Sequence, residues 1–335
     1  MTTNTKGSVA IVGAGFMGTA IATLCAAHGY RVALNDTNEK MLQGFRERAM
    51  PIARQLAGSS RNPEEILSRV EPEASLERSV RDAFLVHEII HEDLEAKRAL
   101  FRRLAVLCAG DVMLATNTSS FLISEICGDI EGRERIIGIH YVSPPHVIQA
   151  VEIITASFTD PALVPRARAF CDSIDHVGIA CRERPGFLIN KIQYALKAEV
   201  QRIVEEGVAS VEDIDAAVRL SIGPRLALWG PMMQEDLSTT KKTVLSVTEY
   251  IHKSTGEAHF ASLPVLRMLV ETGQNVAVAG AGWYKWEGDY GQLVRERDRQ
   301  LADLLDWLRK NERLEALGAK GENARLRDRN RQSAL

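Results

Sequence analysis

The chain has 335 residues, of which 45% are hydrophobic and 25% charged, and its formal net charge is −3. This length predicts two domains, with enough core to fold without disulfides or metals. The near-balanced charge argues against a nucleic-acid binder, which carries a basic surplus, and the ordinary apolar content argues against a chain disordered throughout.

In chain order, Val9-Ala10-Ile11-Val12 is a short apolar run stopped by Gly13 and reads as a buried parallel strand. An alanine-rich helix is predicted from about Met17 to His28, ended by Gly29. Arg31 to Asn35 is a second strand with Asp36 at its end. Helices are predicted over 38–57 and 63–70, the latter opened by the cap pair Asn62-Pro63. A strand begins at Phe84-Leu85-Val86, and a helix from Leu94 to Ala109 follows. Strands are expected at Val112 to Ala115, Ile136 to His140 and Val151 to Ile154. A helix at 161–173 and a strand at 176–181 come next. This β/α alternation predicts a mostly parallel sheet flanked by helices.

The strands stop at Arg184-Pro185-Gly186. Ile189, Ile192, Leu196, Val200, Ile203 and Val204 then form one helical stripe, and further helices are expected at 211–221, 231–253 and 261–271. Ala279-Gly280-Ala281-Gly282-Trp283 breaks the chain, and Leu301, Leu304, Leu305 and Leu308 mark one more amphipathic helix. The expected division is an α/β domain over 1–184, an all-α domain over 185–290, a helix over 291–310 and a charged, frayed tail over 311–335.

Five widely spaced cysteines without a C-x-x-C pair fit a reducing compartment. No signal stretch opens the chain and no run of 18 apolar residues occurs, so a cytoplasmic protein without a membrane partner is expected. The eight histidines show no metal-ligand spacing, and no metal is expected.

Gly13-x-Gly15-x-x-Gly18 joins the first strand to the first helix. In this context Gly13 permits the tight turn, Gly15 lets the backbone approach a pyrophosphate, and Gly18 lets helix and strand pack closely. The helix N-terminus offers free N–H groups to the phosphates. Asp36 lies 23 residues beyond Gly13. A carboxylate there accepts from ribose hydroxyls and repels a 2′-phosphate, which favours NAD over NADP. These features predict an N-terminal Rossmann domain with a doubly wound, mostly parallel sheet, followed by a helical domain.

Several segments together resemble the L-3-hydroxyacyl-CoA dehydrogenase family over about residues 8–290. They are VAIVGAGFMG at 9–18, VHEIIHEDLEAKRALF at 86–101, NTSS at 117–120, GIHYVSPPHVIQAVEII at 138–154 and RPGFLINKI at 184–192. The resemblance implies an NAD-dependent enzyme of hydroxyacyl, and so fatty-acid, metabolism. Such an enzyme converts a 3-hydroxy group to a ketone or the reverse, and is usually a homodimer through its helical domain. It implies His140 as catalytic base, Glu152 as its acidic partner, and Ser119 and Asn190 as holders of the reacting oxygen. It also implies contact with the cofactor by Gly13, Gly15, Phe16, Met17, Gly18, Asp36, Glu92, Lys97 and Asn117, with Glu92 and Lys97 at the nicotinamide half.

The residues support this independently. His140 ends one strand and Glu152 lies in the next, so a reversing loop at Pro144-Pro145 lets them face each other. Histidine suits proton transfer near neutral pH, and a carboxylate fixes its tautomer. Plainer roles stand beside these. His140 can be an inert strand-end histidine, and Ser119 can cap the helix after the fifth strand. Glu92 and Lys97 can be surface helix residues. Asn190 is a poor interior helix former and so needs a reason to be there.

Two departures bear on the substrate. Members acting on acyl-CoA commonly carry H-F-F-N-P, whereas here the run is His140-Tyr141-Val142-Ser143-Pro144. The segment IGPRLALWGP at 222–231 and the RDRQLADLLDWL ending resemble the branch of lambda-crystallin and L-gulonate 3-dehydrogenase, which act on small hydroxy acids. Ser143 and Arg225 become substrate candidates, with Arg225 suited to a free carboxylate through its guanidinium fork. The competing reading is a non-catalytic, crystallin-like NAD-binding protein.

Overall fold

The computed structural model describes residues 6–311, and the chain divides into two compact units between Lys197 and Ala198. The first five residues, and the tail beyond Asn311 expected to fray, lie outside the described residues. In the first unit, β1 (Ser8–Val12) leads through the glycine turn into α1 (Phe16–Ala27) and then β2 (Arg31–Asn35). The predicted helix over 38–57 is two, α2 (Glu39–Gln43) and α3 (Phe45–Ala57), separated at Gly44. After α4 (Pro63–Leu67) the chain turns into a strand that the sequence pattern missed, β3 (Val70–Glu73). Its VEPE sequence carries two carboxylates and a proline, which only an edge strand tolerates. It pairs with β2 alone.

The short α5 (Leu76–Val80) precedes β4 (Leu85–Glu88) and α6 (Leu94–Leu107). Next come β5 (Met113–Thr116), α7 (Ile123–Cys127), β6 (Ile136–Tyr141) and β7 (Ala150–Thr155). The sheet closes with α8 (Leu163–Asp172) and β8 (Val177–Arg182). The strand order is β3-β2-β1-β4-β5-β6-β7-β8, parallel throughout except for the antiparallel pair β6 and β7. Side chains alternate across the sheet: Val9 and Ile11 of β1 pack in one core layer, Ala10 and Val12 in the other. Between β1 and β4 the order reverses direction, which opens a crevice beyond the C-terminal strand ends.

The helix α9 (Ile189–Glu205) runs across the division at Lys197. In the second unit, α10 (Val211–Ala217) continues through a π turn into α11 (Gly223–Ser238). The helix predicted over 231–253 is interrupted, because Thr240 caps α12 (Lys241–Thr255) by accepting from Thr243 N at 3.0 Å. The remaining helices are α13 (Pro264–Glu271) and α14 (Tyr290–Asn311). A buried ion pair between Asp236 and Lys241, 2.5 Å apart, anchors the glycine-rich break that follows α13. Asp236 also accepts from Trp283 N, Tyr284 N and Trp286 Nε1, and a Cβ on Gly282 would lie 2.3 Å from its carboxylate. Among the described residues no helix is long and apolar enough to cross a membrane.

One core group couples folding to pH. His87 in β4 is fully buried, its Nε2 lies 2.9 Å from Ile139 O in β6, and its Nδ1 has no partner. Burial pushes its pKa down to about 3, against the Ile139 hydrogen bond and with help from the charges of Lys97 and His140. In the unfolded chain the ring takes up a proton below about 6.5. The native state therefore loses stability as pH falls from there towards about 3, by up to about 1.4 kcal/mol per pH unit. His87→Gln, which keeps a donor for Ile139, is expected to flatten the dependence of Tm on pH below 6.5; parallel wild-type and variant curves would exclude this origin.

Candidate active site

The crevice is a cleft of about 1080 Å³ in the first unit. At its β1 end each glycine of the turn has a separate steric reason. Gly13 has φ +114°, and a Cβ on it would sit 2.4 Å from Ile89 O at the end of β4. A Cβ on Gly18 would sit 1.8 Å from Gly13 O. A Cβ on Gly15 would meet nothing within 4 Å, so the space over the turn is open. Gly15 also opens α1 with no side-chain cap, which leaves the first N–H groups of the helix for an anion. Phe16 is exposed at the cleft, while Met17 lines it and packs against the core.

Asp36 stands at the end of β2 and lines the same cleft. Its Oδ2 accepts from Ala14 N at 2.7 Å and its Oδ1 from Asn38 N at 2.8 Å. The carboxylate is thereby tied to the glycine turn. The arrangement fits a dinucleotide: pyrophosphate over Gly15 and the N-terminus of α1, ribose at Asp36.

At the other end, β6 and β7 place His140 directly opposite Glu152. Cross-strand partners in an antiparallel pair project to the same face at close range. His140 Nδ1 lies 2.6 Å from Glu152 Oε2, with the histidine 6% exposed and the glutamate fully buried. The other oxygen, Oε1, accepts from Leu188 N at 2.9 Å and Ile189 N at 2.7 Å at the start of α9. Burial pushes the Glu152 carboxyl up, but the hydrogen bonds from His140, Ile189 and Leu188 outweigh it and hold the pKa below the ordinary value. With Nδ1 engaged, Nε2 is the nitrogen left for a substrate hydroxyl.

Between these ends lies a polar network at the ends of β4 and β5. Glu92 accepts from Ser119 N at 2.6 Å and from the hydroxyls of Ser119 and Thr118 at 3.1 Å each. Burial raises its carboxyl, and the Ser119 backbone, Lys97 and the two hydroxyls bring it below the ordinary value. Asn190 Nδ2 reaches Ser119 O at 3.4 Å, so the two residues expected at the reacting oxygen are brought together. Asn117 Oδ1 accepts from Tyr141 N at 2.9 Å and ties the end of β5 to the residue after His140.

Two plainer alternatives are corrected. Ser119 does not cap a helix: α7 starts at Ile123 with Leu122 at its N-cap, and Ser119 is committed to Glu92. Lys97 is not a surface residue: it is 1% exposed and pairs with Glu88 at 2.6 Å and Glu92 at 3.3 Å. Two residues escaped sequence reasoning. Glu88 is fully buried beneath the cleft, and a carboxylate inside the apolar run Leu85–Ile90 was the available signal. Phe187 packs on the His140 ring at 5.9 Å and takes φ +48°, an uncommon conformation for a bulky residue. No sequence signal marks it.

Ser143 is exposed on the loop between β6 and β7 and lines the cleft. Arg225 belongs to the second unit, where its guanidinium donates to Ser221 O and Oγ one turn earlier in the chain. Glu199, Glu257 and His259 also converge in the second unit, but Arg202 lies among them, 2.5 Å from Glu199 and 3.7 Å from Glu257. That cation offsets one of the two carboxylate charges.

Comparison with known proteins identifies the family. Residues 8–184 match the model of the 3-hydroxyacyl-CoA dehydrogenase NAD binding domain, and residues 186–286 that of its C-terminal domain. The human mitochondrial hydroxyacyl-coenzyme A dehydrogenase is 30% identical over 290 residues, 83% of this chain and 91% of that protein. The human lambda-crystallin homolog is 32% identical over 239 residues, 69% of this chain and 75% of that protein. The solved structure of a 3-hydroxyacyl-CoA dehydrogenase from Archaeoglobus fulgidus superposes with a TM-score of 0.78 at 29% identity, covering 90% of this chain and 99% of that one. With the glycine turn, Asp36 and the family's two domains in place, the chain belongs to the 3-hydroxyacyl-CoA dehydrogenase family of NAD-dependent oxidoreductases acting on CH–OH groups.

Proposed function

We propose that this enzyme interconverts a 3-hydroxy group and a ketone, with His140 as the proton acceptor and Glu152 as its orienting partner. The observation that carries the reading is the buried 2.6 Å contact between His140 Nδ1 and Glu152, in the same cleft as the glycine turn. Bound NAD supplies the hydride acceptor. For oxidation, the hydroxyl proton passes to His140 Nε2 as the hydride leaves the carbinol carbon. Glu152 stabilises the imidazolium so formed without itself taking the proton. Ser119 and Asn190, already in contact, hold the reacting oxygen, and Glu92 fixes the Ser119 loop. Asn117 and Lys97, which line the cleft, are the cofactor contacts in this reading.

Two substrate classes are consistent with the family. The names of most relatives support a 3-hydroxyacyl-CoA. A specific observation favours a small free hydroxy acid: three first-unit arginines that could supply cations for CoA phosphates already have partners. Arg46 pairs with Glu64, Arg69 with Glu65, and Arg61 donates to Ala27 O and Leu56 O. Under that reading Ser143 contacts the substrate, and Arg225 is a separate candidate for a carboxylate. An NAD-reduction screen of free 3-hydroxy acids beside 3-hydroxyacyl-CoA thioesters decides between the classes, and unchanged KM for a free acid in Arg225→Ala would remove that residue.

A homodimer through the helical region is also proposed. The amphipathic α9 buries none of its residues within the chain, and Ile192, Tyr194 and Leu196 on it are exposed. Light scattering that gives the mass of a single 37.0 kDa chain would exclude it. The five unpaired cysteines, four of them buried, are compatible with a cytoplasmic setting.

Two variants separate binding from chemistry. Gly15 has φ −67°, which alanine adopts without strain, and open space above it. Gly15→Ala is therefore expected to fold as the wild type while the Kd for NAD rises about tenfold or more. His140→Ala is expected to lower kcat about 10²-fold or more with the Kd for NAD nearly unchanged. Near-normal turnover in His140→Ala would mean a different base, whereas NAD binding without turnover of any 3-hydroxy compound by the wild type would leave the reading of a non-catalytic NAD-binding protein.

A further inference from the structure

Behind the wall of the cleft lies a charge arrangement that proton transfer does not require. Glu88, the last residue of β4, is fully buried. Its carboxylate accepts from Lys97 Nζ at 2.6 Å, Ile90 N at 2.8 Å and Thr116 Oγ1 at 2.7 Å. Lys97 in turn pairs with Glu92 at 3.3 Å. Glu88, Lys97 and Glu92 thus form a row of two negative charges and one positive charge, with a net charge of −1. Lys97 and Glu92 line the cleft together with Asn117, Ser119 and His140. His87, next to Glu88 in β4, is held neutral by burial and adds no opposing charge at neutral pH.

We propose that Glu88 makes this cleft distinguish the oxidised from the reduced nicotinamide, by keeping the charge beneath it negative. The proposal rests on the reading above, in which the reacting end of NAD lies beside His140. The two redox forms differ by one positive charge, carried on the ring that gains or loses the hydride. Glu88 and Lys97 are buried and Glu92 opens onto the cleft, so the net negative charge of the row is only partly screened and attracts only the oxidised form. Without Glu88 the ammonium of Lys97 would cancel Glu92, and that preference would vanish. Glu88 is therefore a positioning and charge-setting residue that acts through Lys97, and it touches neither substrate nor cofactor.

The test is calorimetric titration of the full chain with NAD+ and with NADH. In Glu88→Gln, which keeps the shape of the side chain, the ratio Kd(NAD+)/Kd(NADH) is expected to rise about tenfold, with Kd for NADH changing less than about threefold. The double variant Glu88→Gln/Lys97→Met removes one charge of each sign and restores the net −1. Its ratio is expected to return to within about threefold of the wild type. Equal weakening of both forms in Glu88→Gln would mean that Glu88 only supports the fold, and would overturn the proposal. Should the single variant fail to fold by circular dichroism, the double variant decides: a wild-type ratio supports the proposal and a tenfold shift overturns it. Failure here leaves the role of His140 standing, because that role is read from turnover in His140→Ala.

Discussion

The site depends on one buried carboxylate. Glu152 has no exposure, and both of its oxygens are in use, one holding the Nδ1 of His140 and the other two successive N–H groups at the start of α9. Burial alone would favour the neutral acid, but three charge-assisted hydrogen bonds reverse the balance. The anion that results does two jobs. It selects the histidine tautomer with a free Nε2, and it sets where α9 begins, hence where Asn190 lies. Phe187 fits between these two tasks. Its left-handed backbone precedes the two N–H groups aimed at Glu152, and its ring covers His140. Loss of the carboxylate would take the acceptor from all three donors at once.

That contact exists because the sheet changes direction once. Among parallel strands, residues side by side in the sheet are reached through long crossovers. Here β6 and β7 are consecutive and antiparallel, so His140 and Glu152 are direct cross-strand partners only 12 residues apart in the chain. The rest of the sheet is parallel, and this delivers the ends of β1, β4, β5 and β6 to one edge. The reversal of strand order between β1 and β4 opens the cleft at that edge. Glycine turn, Glu92, the Ser119 loop and His140 are consequences of the same topology. Their mutual bonds, Ala14 to Asp36, Ser119 to Glu92, Asn190 to Ser119 and Tyr141 to Asn117, lock the loops that the strands bring together.

Much of this was legible in the residues. The glycine turn could be read because its logic is local: a strand, a forbidden Cβ and a helix start follow one another in the chain. Asp36 follows from the length of one strand–helix–strand unit. The pairing of His140 with Glu152 was legible as a conditional, since a short proline loop between two strands implies reversal. The β3 strand was missed because its VEPE pattern, set at a sheet edge, lacks the apolar signal by which strands are recognised. Ser119 was left open between capping and function, because a serine after a strand has the same local appearance in both cases. Glu92, 27 residues earlier, settled its bonding.

What the sequence determined by itself was therefore the class of the fold and the cofactor. These rest on short-range sterics and on periodicity, which the chain carries wherever it goes. Only the tertiary structure decided the partners. It buried Lys97 between two carboxylates and gave Glu152 its second role at the start of α9. It also set Phe187 against His140 and paired Arg46 with Glu64. A buried charge or a strained backbone is tolerable only where particular groups far along the chain arrive to satisfy it, and that arrival is a property of the folded molecule.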